Sequence, residues 1–238
     1  MRHPANFLNV QQGTAEWLHA RCGNVTASRV ADVIGKLKSG KYSQERENYM
    51  LELLTEVTTG RTCEHFVSVP MQHGIENEPL ARTCYELKFG VEVERVGFVL
   101  HPTLPRCGGS PDGLVGEDGM LEIKCPTTLT HWRYLFAEVV PEAYKPQMLW
   151  NMACAGRKWT DFISYDPRLP SEYGLFIVRF MRDDKAIAEM EAEVEKFIGE
   201  LAALCQRLPD FDKCLAAHPF QAPEVVQGPP RANIPTSI

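Results

Sequence analysis

The sequence predicts an α/β fold, because segments with helical spacing of apolar residues and segments with strand-like alternation both occur along the chain. Apolar residues recur at helical spacing in the first ninety residues and again near the C-terminus, whereas the middle alternates with a period of two. The chain has 238 residues, of which 44% are hydrophobic and 24% are charged. These ordinary globular values exclude a disordered, collagenous or coiled-coil protein.

Four helices are predicted in the N-terminal part. In the third of them Tyr49, Leu53 and Val57 recur every four residues, as in a helix that packs on a core. A terminal glycine is typical of a helix end. The predicted helices are Ala15–Arg21, a helix capped by Thr26 or Ser28 that carries Val30, Val33 and Ile34, one from Ser43 to Gly60, and one from about Gly74 to Leu87.

The middle of the chain predicts strands. Residues 91–96 alternate as a strand should, and we expect that strand to continue through Leu100. Two further strands, Leu114–Val115 and Met120–Cys125, flank Gly-Glu-Asp-Gly, which is a strong turn signal and predicts a hairpin. A helix over 143–155, a strand over 175–181 and an amphipathic helix from Ile187 to Leu204 complete the prediction.

A single domain over residues 1–218 is expected, followed by a proline-rich tail over 219–238. The tail either is disordered or lies extended over a neighbouring subunit. No apolar run reaches the eighteen or so residues that span a bilayer, and no secretory signal segment is evident, so we expect a cytoplasmic protein with no membrane partner. The eight cysteines include no CxxC pair, which favours reduced thiols over a disulfide framework or a zinc ribbon.

The charge is unevenly distributed. The net charge of −6 argues against a protein that coats nucleic acid non-specifically. Residues 1–46 nevertheless hold seven Lys and Arg against three acids, and residues 186–200 hold five Glu against one Lys. This pattern predicts either a basic face that a polyanion approaches and an acidic face elsewhere, or two ordinary solvated surfaces.

The predicted hairpin carries a set of chemically active side chains. Glu122 and Lys124 are two residues apart and project from the same side of their strand. Asp112 would complete a set of two acids and a lysine, which can hold a hard divalent cation and position a water molecule. If Val115 pairs with Met120, Asp112 falls opposite Ile123 on the wrong face.

A metal site would then require Asp112 to leave the ladder, or a one-residue bulge, for which the nearby glycines are suited. The alternative treats Glu122 and Lys124 as a solvent-facing pair and Asp112 as a turn residue.

The spacing of these residues resembles the PD-(D/E)XK nuclease signature, since Glu122 follows Asp112 by ten positions and Lys124 follows Glu122 by two. Ser-Pro-Asp-Gly and Leu-Glu-Ile-Lys-Cys-Pro resemble more narrowly the lambda exonuclease family, also called the YqaJ-type viral recombinases. Further motifs follow in the family's order between residues 17 and 185. They are Gly23–Ser28 after Arg21, Gly74–Arg82, Gln147 with Met152, and Tyr165–Arg168.

The resemblance implies a restriction-endonuclease-like fold, with a central mixed sheet flanked by helices, and a phage or prophage exonuclease. Such an enzyme digests one strand of linear double-stranded DNA in the 5′ to 3′ direction. It leaves a 3′ single-stranded overhang for recombination by strand annealing. The implied cofactor is Mg²⁺, with two ions expected, and Mn²⁺ fits the same oxygen ligands.

The resemblance also assigns roles to residues. Asp112 and Glu122 would bind metal with the carbonyl of Ile123, and Glu78 would complete a second position. Lys124 would orient the attacking water rather than abstract its proton, and Gln147 would support that arrangement. The residues implied to contact DNA are Arg21, Ser28 and Ser110 at a 5′-phosphate, Lys38 on a basic loop, and Met71 as a wedge at the terminal base pair.

Other interpretations stay open for several of these residues. Ser28 could be a helix cap, Ser110 a turn residue, Lys38 merely solvated and Met71 part of the core. Leu149 stands where the family often has a second glutamine.

The implied partners are two further copies in a ring-shaped homotrimer, with a DNA channel lined by the basic N-terminal segments, and a single-strand annealing protein. Two alternatives remain open: a structure-specific or restriction-like endonuclease of the same superfamily, and a catalytically silent DNA-binding subunit.

Overall fold

The computed structural model describes residues 6–63 and 68–209. The predicted tail over 219–238 therefore lies outside the described residues. The helices are α1 (Ala15–Arg21), α2 (Val30–Ile34), α3 (Gln44–Thr59), α4 (Val69–Phe89), α5 (Thr128–Ala137), α6 (Lys145–Ala155) and α7 (Asp184–Cys205). The strands are β1 (Phe7–Leu8), β2 (Val25–Thr26), β3 (Val93–Glu94), β4 (Phe98–Leu100), β5 (Cys107–Gly109), β6 (Gly113–Val115), β7 (Gly119–Lys124), β8 (Trp159–Tyr165) and β9 (Leu175–Met181).

The strands form two mixed sheets, which confirms the predicted α/β fold. The smaller sheet has the order β1-β4-β5-β2, in which β2 and β5 are parallel. The larger has the order β3-β6-β7-β8-β9, in which β7 and β8 are parallel. Helix α4 packs on one face of the larger sheet, where Tyr85 meets Leu121 and Ile163. The other face joins the main core, where Met120 meets Trp150 of α6 and Phe197 of α7.

The long helices follow the predicted periodicity. Tyr49, Leu53 and Val57 of α3 are buried, Ser43 is its N-cap, and Gly60 ends it in the left-handed conformation at φ 67°. Helix α7 buries the predicted apolar face from Ile187 to Leu201. Burial of one stripe of side chains against the core stabilises both helices.

Several element boundaries differ from the prediction. The expected strand over 91–100 divides into β3 and β4, which belong to different sheets. At Gly97, between them, an added Cβ would lie 2.0 Å from the carbonyl oxygen of Val10. The close approach of these two backbone segments separates the strands. Helix α4 starts before Gly74, because the Ser68 side chain accepts a hydrogen bond from the Met71 N–H and caps an earlier turn.

A short 3₁₀ turn over Ala27–Arg29 runs directly into α2. Thr26 is the N-cap of this turn, without a capping side-chain hydrogen bond, and Arg29 is the N-cap of the helix, so Ser28 caps neither.

Among the described residues, no helix is both long enough and apolar enough to cross a bilayer. The seven cysteines in this part of the chain are free thiols, and Cys214 lies outside it.

Candidate active site

The hairpin of β6 and β7 closes one residue tighter than predicted. Val115 pairs with Gly119, and Gly113 pairs with Leu121. The loop therefore holds three residues, 116–118, and Gly116 adopts the left-handed conformation at φ 57° that closes it. The predicted pairing of Val115 with Met120 is wrong. With the observed register, Asp112 falls level with Glu122, and no bulge is needed.

Asp112 lies immediately before β6 and binds the neighbouring strand through its side chain. Its Oδ2 accepts a hydrogen bond of 2.6 Å from the backbone N–H of Ile123. The carboxylate therefore lies at the end of β7, where Glu122 and Lys124 are found.

Glu122 is completely buried, although it is an acid in the middle of a sheet. Its Oε1 lies 2.6 Å from Lys124 Nζ, and apart from this ion pair neither oxygen accepts a hydrogen bond. The Lys124 side chain is 26% exposed, and its Nζ lies 5.1 Å from the centre of the Tyr144 ring. The alternative of a solvent-facing pair is wrong for Glu122, because helices cover both faces of β7.

The proximity of these groups shifts their pKa values. Burial, and then the charges of Glu122 and Glu78, raise the pKa of Asp112 well above its ordinary value. Burial lowers the pKa of Lys124, but the carboxylates of Glu122 and Asp112 raise it more, so that the net shift is upward. Lys124 is therefore an ammonium group that offsets part of the negative charge.

Glu78 of α4 reaches the hairpin through an arginine. Its carboxylate is ion-paired with Arg82, one helical turn later. The Arg82 guanidinium also donates two hydrogen bonds to the carbonyl oxygen of Asp112, at 3.2 and 3.0 Å. Arg82 thus joins α4 to the start of β6, and the carboxylate of Glu78 points to this arginine.

The donor set fits a hard divalent cation at Asp112 and Glu122. Both offer carboxylate oxygens, and those of Glu122 are completely buried with the Lys124 ammonium group as their one described partner, an arrangement in which a cation would add favourable contacts. Within residues 6–63 and 68–209, no group of three or more His, Cys, Asp or Glu side chains is assembled as a metal site. The carboxylate of Glu78 is instead paired with Arg82.

Gln147 lies in the first turns of α6 and is half-buried. It follows Tyr144, whose ring faces Lys124, by three residues. Leu149, which replaces a second glutamine, is buried in the main core.

The residues predicted to bind a phosphate lie around one edge of the smaller sheet. Strands β2 and β5 are parallel, with Thr26 level with Gly108, so Ser28 and Ser110 both follow the same edge. The Trp17 indole N–H donates a 2.9 Å hydrogen bond to Ser110 Oγ. The guanidinium carbon of Arg21 lies 4.3 Å from the centre of the Trp17 ring. Burial lowers the pKa of Arg21, so a bound anion would relieve the penalty on its charge.

Lys38 and Met71 are both exposed on the surface. Lys38 is in the exposed loop between the bridged residues Lys36 and Tyr42. Met71 is 51% exposed near the start of α4, so the interpretation as a core residue is wrong.

The basic N-terminal segment packs against the acidic C-terminal helix. Lys36 is paired with Glu193 at 2.6 Å, and Arg46 with Glu200 at 2.7 Å. Arg29 is paired with two further acids. The predicted separation into a basic and an acidic face is therefore wrong for these residues, whereas Lys38 and Lys41 remain exposed.

A cavity of about 790 Å³ opens between the start of α6 and α7. Its lysines are already engaged: Lys36 with Glu193, Lys145 with Glu142, and Lys196 with the Tyr42 hydroxyl. None of the predicted site residues lines it.

Three residues that contact the predicted site residues were assigned no role from the sequence: Trp17, Arg82 and Tyr144. Two of them had a usable signal, since Trp17 precedes Arg21 by four residues and Arg82 follows Glu78 by four. That spacing places both pairs on one face of a helix.

Comparison with known proteins identifies a family that this chain resembles in sequence and in fold. Residues 16–158 match the family described as the YqaJ-like viral recombinase domain. The crystal structure of an alkaline exonuclease, LHK-Exo, from Laribacter hongkongensis is 45% identical, with a TM-score of 0.76 over 86% of this chain and 98% of that one. The same protein in complex with dAMP is 44% identical, with a TM-score of 0.75 over 86% and 97% of the two chains.

A phage-related exonuclease from Haemophilus somnus 129PT is 17% identical, with a TM-score of 0.56 over 76% of this chain and 95% of that one, and this likeness shows the fold alone. No curated protein matches the sequence. The structural likeness confirms the predicted fold class, that of the PD-(D/E)XK nucleases.

Proposed function

The chain belongs to the family of YqaJ-like viral recombinase domains, and from this membership we propose that it is a metal-dependent deoxyribonuclease that digests linear double-stranded DNA from its ends. One observation carries the proposal. The completely buried carboxylate of Glu122, whose described partner is the ammonium group of Lys124, lies beside Asp112 at the end of a hairpin. The likeness to an alkaline exonuclease supports it.

Asp112 and Glu122 would hold Mg²⁺, or Mn²⁺ in its place, with the Ile123 carbonyl as a further ligand. A bound divalent ion lowers the pKa of a water molecule and stabilises the charge that develops on the phosphate. Lys124 remains protonated and orients the attacking water through its N–H groups. Gln147 supports this arrangement from α6. Glu78 would serve a second ion once its carboxylate turns from Arg82.

The proposed polarity is 5′ to 3′, with a 3′ single-stranded overhang as product. Arg21, Ser28 and Ser110 would bind the 5′-terminal phosphate, because a guanidinium and two hydroxyls surround one sheet edge there. Lys38 would contact the DNA backbone from its loop, and Met71, exposed on α4, would pack against the terminal base pair. We place the catalytic domain within residues 1–218, so truncation after residue 218 is expected to leave cleavage intact.

The proposed assembly is a ring-shaped homotrimer whose product is passed to a single-strand annealing protein. Lys38 and Lys41 of the N-terminal segment are exposed and, among the described residues, form no ion pair, so they would be available to line a channel. Light scattering of the purified full chain would give three times the monomer mass of 26.8 kDa. A monomer mass at working concentrations would refute the ring.

The test is degradation of linear duplex DNA that carries a 5′-phosphate at one end and a 5′-hydroxyl at the other, with each strand labelled. Reactions contain Mg²⁺ or EDTA and compare the wild type with Lys124→Ala. Lys158→Ala is the matched control, because Lys158 forms an exposed ion pair with Asp118 of the hairpin loop. We expect Mg²⁺-dependent shortening from the 5′-phosphate end, abolished only by Lys124→Ala.

Other outcomes identify the alternatives. Cleavage of closed circular DNA would indicate a structure-specific or restriction-like endonuclease. Binding of DNA without cleavage in any metal would leave a catalytically silent subunit.

A further inference from the structure

Asn151 of α6 is a completely buried polar side chain whose carboxamide is without partners. Neither Oδ1 nor Nδ2 has a hydrogen bond, and the residue is 0% exposed. An amide can accept and donate several hydrogen bonds, and leaving all of them unmade in the interior is unfavourable. Such a group requires an explanation.

The carboxamide lies against the end of β5, next to Ser110, and this strand end also lies close to the 3₁₀ turn that carries Ser28. A Cβ added to Gly109 would lie 2.0 Å from Asn151 Oδ1 and 3.2 Å from the Cβ of Ala27. Gly109 directly precedes Ser110, and Ala27 directly precedes Ser28. The amide thus fills the space that a side chain at position 109 would take.

Asn151 shares one side of α6 with Gln147, a residue proposed for the hairpin site. Asn151 follows Gln147 by four residues, so both lie on one side of α6. One helix therefore links the proposed water-positioning region to the proposed phosphate pocket.

We propose that Asn151 is a positioning residue that sets the spacing of Ser28 and Ser110, and thereby the preference for a 5′-phosphorylated DNA end. This inference rests on the proposed function. When a terminal phosphate draws the two turns together, backbone groups next to Gly109 and Ala27 pair with the amide. These hydrogen bonds form only in the bound state and so favour phosphorylated ends.

The test compares the binding of 5′-phosphorylated and 5′-hydroxyl duplexes to the full chain in EDTA, by fluorescence anisotropy, and the ratio of kcat/KM for the same two ends with Mg²⁺. Asn151→Leu keeps the branched shape of the side chain, with bulkier methyl groups, and removes the hydrogen-bonding groups. We expect the variant to fold, as its thermal unfolding would show, and both preferences to fall about tenfold, the factor that one hydrogen bond typically supplies. Asn151→Asp should lower them further, because its carboxylate repels phosphate.

Thr160→Val is the matched control. Thr160 is also completely buried, and its hydroxyl has no partner, but it belongs to β8 rather than to the serine-bearing strand ends. Its replacement should leave the end preference unchanged.

Three results would overturn the inference: an unchanged preference in both Asn151 variants, an equal fall in Thr160→Val, or a wild type that binds both ends equally. Failure of this inference can be distinguished from failure of the proposed function. A wild type that prefers phosphorylated ends in EDTA but never cleaves DNA would refute the nuclease activity and leave the role of Asn151 in binding intact.

Discussion

At the scale of single residues, Asp112 is expected to lower the stability of the metal-free protein although the proposed cleavage requires it. Without metal, burial and then the charges of two neighbouring acids raise the pKa of its carboxyl group. Asparagine can keep the hydrogen bond from the Ile123 N–H and remove the charge. We expect Asp112→Asn to raise the free energy of unfolding in EDTA at neutral pH by about 1–2 kcal/mol and to abolish cleavage.

Urea unfolding and the DNA assay measure the two effects. Asp118→Asn, in the exposed loop of the same hairpin, is the control and should change neither. A less stable Asp112→Asn protein would contradict the interpretation of crowded charge.

The same residue predicts a pH dependence of stability. A carboxyl group whose pKa is raised on folding holds more protons in the folded than in the unfolded state between its two pKa values. The metal-free wild type should therefore lose stability as the pH rises from about 4, the ordinary value for Asp, through the raised pKa of Asp112. When unfolding is measured in EDTA across this pH range, the free energy of unfolding should decrease less for Asp112→Asn than for the wild type. If the free energy of unfolding fell equally with pH in both proteins, Asp112 would not be the group responsible for the pH dependence.

At the scale of elements, Arg82 ties α4 to the hairpin of β6 and β7, which carries the proposed metal ligands. It joins the carboxylate of Glu78 to the carbonyl of Asp112. Arg82→Met should lower activity by about 10–100-fold, the usual effect of losing a group that orients metal ligands. Arg46→Met is the control, because Arg46 is equally buried but joins α3 to α7 through Glu200.

Both variants should be less stable, and only Arg82→Met should lose activity when both are assayed well below their unfolding temperatures. Equal activity losses would mean that Arg82 acts through stability alone.

The contact between α6 and β5 gives a second prediction at this scale. Gly109→Ala would drive a methyl group into the carboxamide of Asn151 and should lower the free energy of unfolding by about 1–3 kcal/mol. Adding Asn151→Ala removes the obstructing atoms and should recover part of that loss. A double-mutant cycle by urea unfolding measures the coupling. Strictly additive losses would show that the two residues do not compete for the same space.

At the scale of the whole molecule, ion pairs join the N-terminal helices to the C-terminal helix. The Arg46 side chain is 7% exposed and lies between the rings of Tyr42 and Phe197. Removal of its partner through Glu200→Gln should cost about 2 kcal/mol, because a buried charge loses its counter-charge. Glu193→Gln breaks the more exposed pair with Lys36 and should cost less than about 1 kcal/mol. Thermal unfolding at low and high salt would compare them, and equal effects would contradict this ranking.

The sequence by itself determined the local elements and the identity of the chemical groups. Helix α1, strand β9 and the buried stripes of α3 and α7 follow the predicted spacing, because apolar periodicity is a local property. The Asp112, Glu122 and Lys124 motif was evident because the spacing of these residues and their neighbours resembles a family signature. Strand β8 gave no such signal, because it lies between β7 and β9 with both faces buried and shows no alternation.

Only the tertiary structure decided how these pieces meet. The register of the hairpin depended on the backbone of Gly116, and the division of residues 91–100 between two sheets depended on the approach of Val10 to Gly97. The pairing of Lys36 with Glu193 joins residues 157 positions apart. The burial of Asn151 beside Gly109 likewise needs the packed helix. Such contacts depend on three-dimensional proximity, which residue spacing along the chain does not encode.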